Sequence, residues 1–212
     1  MNFTTEGLSQ PQLEILRQAG PWLADQGFYL AGGTALAMVY GHRKSVDLDW
    51  FTRQAISDPL VLAQRLRDFG LAFETGQTAP GTLYGQIHGV RLSFIEFRYP
   101  LLQPVQVWQE MGTPLASLDD LACMKLSAVA QRGARKDFYD LHALLTHHRP
   151  LKELLGLYQH KFSVQDLTPV IYGLAYFDDA EQEPEPVLLV NISWRQIKKD
   201  ILGWLQDAVR SN

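Results

Sequence analysis

Gly32-Gly33-Thr34 and Asp47-Leu48-Asp49 are the groups in this chain whose residue types and spacing can do chemistry together. Two glycines after an apolar run let the backbone turn sharply and come close to a ligand. The helix that follows presents free N–H groups and the positive end of its dipole. The Thr34 hydroxyl can cap that helix or donate to a phosphate oxygen. In a strand, residues two apart point the same way, so Asp47 and Asp49 face one side while Val46, Leu48 and Trp50 face the other. Two like charges this close repel, and a divalent cation neutralises both. Magnesium, or manganese in its place, takes one or two carboxylates plus the phosphates of a substrate, which suits a site already equipped with a phosphate-holding turn. Each group alone has an ordinary alternative: a glycine-built turn from strand to helix, and a solvated strand edge.

The elements that must position these groups follow from the pattern of the chain. Ser9 with Gln12 predicts a capped helix over 9–19, ended by Gly20. A buried strand over 28–30, a helix over 34–40 closed by Gly41 and a strand over 46–51 come next. Asp58-Pro59 starts a helix to about residue 69, and the glycine-broken β-formers over 71–107 predict strands with hairpin turns, best over 90–99. Ser117 with Asp120 reads as a capping box opening a helix to about residue 131. Further helices are predicted over 135–147, 151–161 and 163–177, with an acidic loop over 178–186 and an amphipathic helix over 193–210. The fold class is therefore α+β: a core over 1–115 and a helical region over 116–212 packed on it, meeting at a seam near 112–114.

Composition excludes several classes. Hydrophobic residues at 46% and charged residues at 20% describe a folded globular chain, neither disordered nor membrane-embedded. No apolar run is long enough to span a membrane, and the start MNFTTEGLSQ has no signal-peptide pattern, so a cytoplasmic location and no membrane partner are expected. The single cysteine, Cys123, sits among Leu121, Met124 and Leu126 and reads as a small core residue, with no disulfide, redox or zinc chemistry implied. A net charge of -4 gives no general attraction to nucleic acid, but local basic patches at His42 to Lys44 and Arg132 to Lys136 adjoin the chemical motifs.

A second block lies far along the chain. Lys125 falls among apolar neighbours on its helix, where a lysine can extend its stem and keep its tip in water. Asp137 and Asp140 are neighbours on one helical face. Asp137 is favoured in the first turn by the helix dipole, whereas Asp140, between Phe138, Tyr139, Leu141 and Leu144, reads as partly buried and in need of a cation such as Arg132, Arg135, Lys136 or Lys125. An ion-pair clamp joining the two halves is the structural alternative to a role in the site.

GGT, HRKSVDLDWF and KLSAVAQRGARKDFYDL, with LAYFDDAEQEP and LLVNISWRQIKKDI near the end, resemble the nucleotidyltransferase family of the AbiEii/AbiGii toxins over nearly the whole chain. The resemblance implies a polymerase-β-like nucleotidyltransferase core, a mixed sheet with flanking helices. It implies that Gly32, Gly33 and Thr34 hold phosphate and that Asp47 and Asp49 bind the metal. Arg43 and Ser45 take the positions of the basic and hydroxyl residues before the acidic pair and join the nucleotide site. Lys125 meets the triphosphate, and with Asp140 completes the catalytic set, Asp137 and Arg132 standing behind them. The wider superfamily often has a third carboxylate on a neighbouring strand. Here Ser93 occupies that place, and Glu96 reaches the site only through a bulge. The implied reaction is transfer of NMP from an NTP to a hydroxyl, on an RNA 3′ end such as that of tRNA or on a protein, by a phage-defence toxin with a cognate antitoxin. The alternatives are a catalytically silent NTP-binding module, and a protein-interaction scaffold with the acidic loop as its contact.

Overall fold

Ser9 opens the first helix as its spacing predicts: its Oγ accepts from the Gln12 backbone N–H, and the Gln12 side chain accepts from the Ser9 N–H at 2.9 Å. In the computed structural model, which describes residues 3–210, this helix, α1, spans Gln10–Asp25 and does not stop at Gly20. A Cβ at Gly20 would lie 2.1 Å from Thr113 Oγ1, so the glycine marks a close crossing of helix and sheet, and burial at that crossing carries the helix through Pro21 despite its missing N–H. Met1, Asn2, Ser211 and Asn212, which belong to the predicted start and domain bounds, lie outside the described residues.

The elements then alternate. Strand β1 (Phe28–Ala31) runs directly into α2 (Gly32–Tyr40), which ends at Gly41 in the left-handed conformation. Strand β2 (Asp47–Thr52) follows, then α3 (Pro59–Asp68), opened by the Asp58 carboxylate accepting from the Leu60 N–H at 2.8 Å. Strands β3 (Glu74–Ala79), β4 (Thr82–Ile87) and β5 (Val90–Glu96) form successive hairpins, and β6 (Gln106–Trp108) pairs with β7 (Thr113–Leu115). Helices α4 (Leu118–Gln131), α5 (Arg135–His147), α6 (Leu151–Phe162), α7 (Thr168–Ala175), the short α8 (Asp178–Glu181) and α9 (Trp194–Arg210) complete the chain.

Among the described residues the strands form one sheet in the order β3-β4-β5-β2-β1-β7-β6. It is mixed: β2–β5 and β1–β7 are parallel and the other pairs antiparallel. The central β2 buries Leu48, Trp50 and Thr52 in a core that continues without a break through Leu121, Phe138 and Ile201 of the helical part. That continuity explains why residues 113–115, near the predicted seam, are a sheet strand bonded on both sides. No helix among the described residues is long and apolar enough to cross a membrane.

Four local expectations are corrected. Val46 precedes β2 and is exposed, so it does not share the buried face with Leu48 and Trp50. Residues 163–177 are not one helix: Ser163 ends α6 in the left-handed conformation (φ 54°), and Pro169 fits only in the first turn of a new helix, α7. Asp120 does not return the capping bond to Ser117. Its carboxylate accepts instead from Leu102 N–H, from the Ser117 hydroxyl and from Lys161, a fully buried lysine 2.6 Å away. Part of the predicted acidic loop is helical, as α8.

Candidate functional site

The register of β2 sets the site. Antiparallel β1 places Ala31 beside Asp49, and parallel β5 places Arg91 beside Asp47, Ser93 beside Asp49 and Ile95 beside Phe51. Because β2 alternates, Asp47, Asp49 and Phe51 all open onto a cleft of about 920 Å³ whose opposite wall is α4 and whose rim is the segment 184–187.

The glycine turn meets this strand directly. Gly32 has φ +69°, and a Cβ there would lie 2.7 Å from Asp49 Oδ2. A Cβ at Gly33 would lie 2.1 Å from Arg43 Nη2. The two glycines thus make room for two different charged groups. Ala31, the residue before α2, offers no side-chain cap, so the first N–H groups of that helix are left for a ligand in the cleft that Gly32 and Gly33 line. Thr34 neither caps the helix nor faces the cleft. It is buried, its hydroxyl 2.7 Å from Ser45 Oγ and donating to the Asp47 carbonyl, and so it fixes the entry to β2 from behind. Ser45 does line the cleft.

Asp47 accepts from Arg91 Nε at 2.8 Å and has Lys136 Nζ at 3.9 Å, and Asp49 accepts from the Ser93 hydroxyl. Arg91 is 71% exposed, so neither carboxylate has a buried cation of its own. Among the described residues no three His, Cys, Asp or Glu side chains converge. Asp47 and Asp49 are the side chains of the cleft that could hold a hard divalent cation.

Behind the turn lies a buried ion network. Asp140, fully buried, accepts from Arg43 Nε at 2.7 Å and Nη2 at 2.8 Å, with His42 Nε2 and Lys125 Nζ each at 2.7 Å. Asp137 accepts from Lys125 Nζ at 2.7 Å and from Arg132 at 2.7 and 3.0 Å. Burial alone would raise the Asp140 carboxyl, but Lys125 and Arg43 hold it well below the usual carboxylate range. Asp137 is likewise lowered against burial, by Lys125 and Arg132. Lys125 is pushed down by burial and more strongly up by Asp140 and Asp137, so it stays charged. The predicted clamp between the halves is thus real, and of the cations expected for Asp140 Lys125 supplies one; Arg43 and His42 join it, while Arg132 goes to Asp137, Arg135 to Glu183 and Lys136 to Asp47. Arg43, Lys125 and Arg132 line the cleft; Asp140 is shut behind them, bonded to Arg43 and Lys125.

Glu96 does not join the site. The β2–β5 pairing runs without a bulge to Thr52 opposite Glu96, so its side chain points away from the Asp49 face, accepting from the Ile56 N–H at 2.9 Å and from Arg98. The side chain opposite Asp49 is that of Ser93. Several cleft residues escaped the sequence reading. Tyr84, Ile95 and Phe97 depend on nonlocal strand pairing, whereas Phe51 carried a local signal, two residues beyond Asp49. The acidic stretch after α8 is a bound strap: Glu183 accepts from the Arg135 N–H at 2.7 Å, and Glu185 from the Tyr139 hydroxyl at 2.6 Å. Val187 and Leu189 pair with residues 42–44 through Lys44 N–H to Val187 O and Leu189 N–H to His42 O.

An aspartate pair on the central strand of this mixed sheet, facing a glycine turn that opens a helix, defines the polymerase-β-like nucleotidyltransferase fold. Within that fold the chain belongs to the AbiEii family, described as "Nucleotidyl transferase AbiEii toxin, Type IV TA system", whose profile matches residues 15–210. An uncharacterized protein of Aquifex aeolicus is 38% identical over 178 residues, covering 83% of this chain and 86% of that one. Among solved structures, JHP933 of Helicobacter pylori shares the fold at TM-score 0.59 and 21% identity, covering 96% of this chain and 94% of the other. MenT4, a nucleotidyltransferase toxin of Mycobacterium tuberculosis, does so at TM-score 0.59 and 16% identity, covering 98% and 88%.

Proposed function

We propose that this protein is a metal-dependent nucleotidyltransferase that moves NMP from an NTP to a hydroxyl acceptor, on an RNA 3′ end such as that of tRNA or on a protein, and acts as the toxin of a pair with a cognate antitoxin. One observation carries the reading: Asp47 and Asp49 lie on one face of β2 against the Gly32–Gly33 turn, in a cleft walled by both halves of the chain. The acceptor oxygen forms a bond to the α-phosphorus while the bond from that phosphorus to the α,β-bridging oxygen breaks. Pyrophosphate leaves, and the hydroxyl proton passes to solvent. A magnesium or manganese ion held by Asp47 and Asp49 would supply charge stabilisation to the attacking and leaving oxygens.

The chain's own residues supply the rest. Free N–H groups at the start of α2 face the phosphates. Arg43, Lys125 and Arg132 against Asp137 and Asp140 leave one positive charge on the wall, with Lys136 beyond it. Asp140 fixes Arg43 and Lys125 in place, and Ser93 orients Asp49. Incubation with labelled NTPs, magnesium and cell RNA or extract labels an acceptor under this reading; absence of label with every NTP and acceptor ends it. Ser93 opposite Asp49, where a third carboxylate would stand, favours a second reading, an NTP-binding module without turnover. Thermal stabilisation by NTP and magnesium with no pyrophosphate released would establish that one.

A further inference from the structure

The cleft is not uniform along its length. At one end Arg91 and Lys136 stand at Asp47, and Arg132 adds a further cation to the cleft wall. At the other end the sheet offers Phe51, Ile95 and Phe97, and α4 offers Leu121 and Met124, with no charged side chain among them. The two walls are in register: Lys161 bonds Asp120, next to Leu121, and stands 5.6 Å from the ring of Phe97, so the first turn of α4 lies over the aromatic end. Arg132, which caps the last turn, lines the same cleft and lies close enough to Asp49 to feel its charge. At about 3.3 Å per strand residue, Phe51 is one side-chain step beyond Asp49 and Phe97 two steps beyond Ser93, the span of a nucleoside attached to a phosphate held at Asp49. Phe97 is braced edge-on by Phe51 at 5.7 Å and by Phe162 at 6.3 Å, so its ring is fixed and not free to fold into the cleft.

Resting on the nucleotide-site reading above, we infer that the Phe51–Phe97–Met124 end is the nucleobase subsite, and that it holds the base of the NTP by its flat face rather than by its hydrogen-bonding edge. The nucleotide then lies along β2 with its triphosphate towards Asp47, Lys136 and Arg132. A subsite built of rings and methyl groups gains by contact area, so purine nucleotides bind more tightly than pyrimidine nucleotides.

Competition binding separates the subsite from the phosphate site. The four NTPs and inorganic tripolyphosphate, each with magnesium, are titrated into the wild type and into Phe97→Ala and Phe97→Leu, the second variant keeping apolar bulk in the aromatic cluster. The inference predicts purine over pyrimidine preference in the wild type, and a loss of purine NTP affinity on the order of 10-fold in both variants with tripolyphosphate affinity unchanged. Unchanged NTP affinity in Phe97→Leu, or an equal fall for tripolyphosphate, overturns it. A wild type that binds neither NTP nor tripolyphosphate overturns instead the nucleotide-site reading beneath it.

Discussion

The guanidinium of Arg43 grips the carboxylate of Asp140 with two bonds, at 2.7 and 2.8 Å, across 97 residues of sequence. Gly33 makes this possible by having no side chain where Arg43 Nη2 lies. The pair joins α5 to the segment entering β2, so the helical part holds the Gly32–Gly33 turn and the acidic strand in register. Removing Asp140 leaves Arg43 and Lys125 buried without their counter-charge. Asp140→Ala therefore costs about 3–5 kcal/mol in urea unfolding. Arg43→Lys, which keeps the charge but loses the two-bond geometry, costs about 1–3 kcal/mol. A loss under about 1 kcal/mol for Asp140→Ala would contradict the clamp.

Gly32 tests the turn itself. Alanine there must adopt φ +69° and set its Cβ 2.7 Å from Asp49 Oδ2. Gly32→Ala should lose about 1–2 kcal/mol of stability from the backbone alone. Its nucleotidyl transfer should fall on the order of 10²-fold or more, because Asp49, the carboxylate proposed to hold the metal, is displaced. Steady-state kinetics beside thermal unfolding separates the two effects.

Stability should be flat near neutral pH and fall on both sides. Asp140 and Asp137, whose burial is outweighed by Lys125 with Arg43 and Arg132, bind fewer protons folded than unfolded. Their contribution is full above the unfolded value of about 3.9 and is lost as pH falls through the folded value. Lys125, raised by Asp140 and Asp137 against burial, contributes fully below about 10.4 and loses that contribution as pH rises through its folded value. Burial pushes the Cys123 thiol up to about 12, so the folded chain keeps a proton that the unfolded chain releases near 8.5, roughly, and stability declines between those values. Denaturation midpoints across pH check each limb: Asp140→Asn should flatten the acid limb, and a thiol reagent at pH 8 should modify Cys123 only on unfolding.

Much of this was legible in the sequence where the signal is local. The glycine turn, the alternation of Asp47 and Asp49, and the helix carrying Asp137 and Asp140 all depend on spacings of two to four residues. What the sequence hid depends on pairing between distant segments. Asp140 reads as needing a cation, yet nothing local says that Arg43 rather than Arg135 supplies it. Thr34 reads as a phosphate ligand until the packing of α2 on β2 turns its hydroxyl inward to Ser45. Ser93 meets Asp49 only because β5 lies parallel to β2 in one particular register.

That register makes a paired prediction. Glu96 faces away from the acidic pair, so Glu96→Gln should leave turnover within about 2-fold of wild type, as expected of a change outside the site. Ser93→Ala removes the hydroxyl that orients Asp49 and should lower kcat roughly 10-fold with little change in fold or KM. Equal loss in both variants would mean that Glu96 reaches the chemistry after all.

The central claim, that Asp47 and Asp49 serve attack at the α-phosphorus, is tested most directly by where the label goes. NTPs labelled at the α-position and, separately, at the γ-position are incubated with magnesium, cell RNA and extract, using wild type and an Asp49→Ala variant whose folding is verified by thermal unfolding. The account predicts acceptor labelling from the α-position only, with pyrophosphate released, and none with Asp49→Ala. Acceptor labelling from the γ-position, or undiminished α-labelling by the variant, would contradict it.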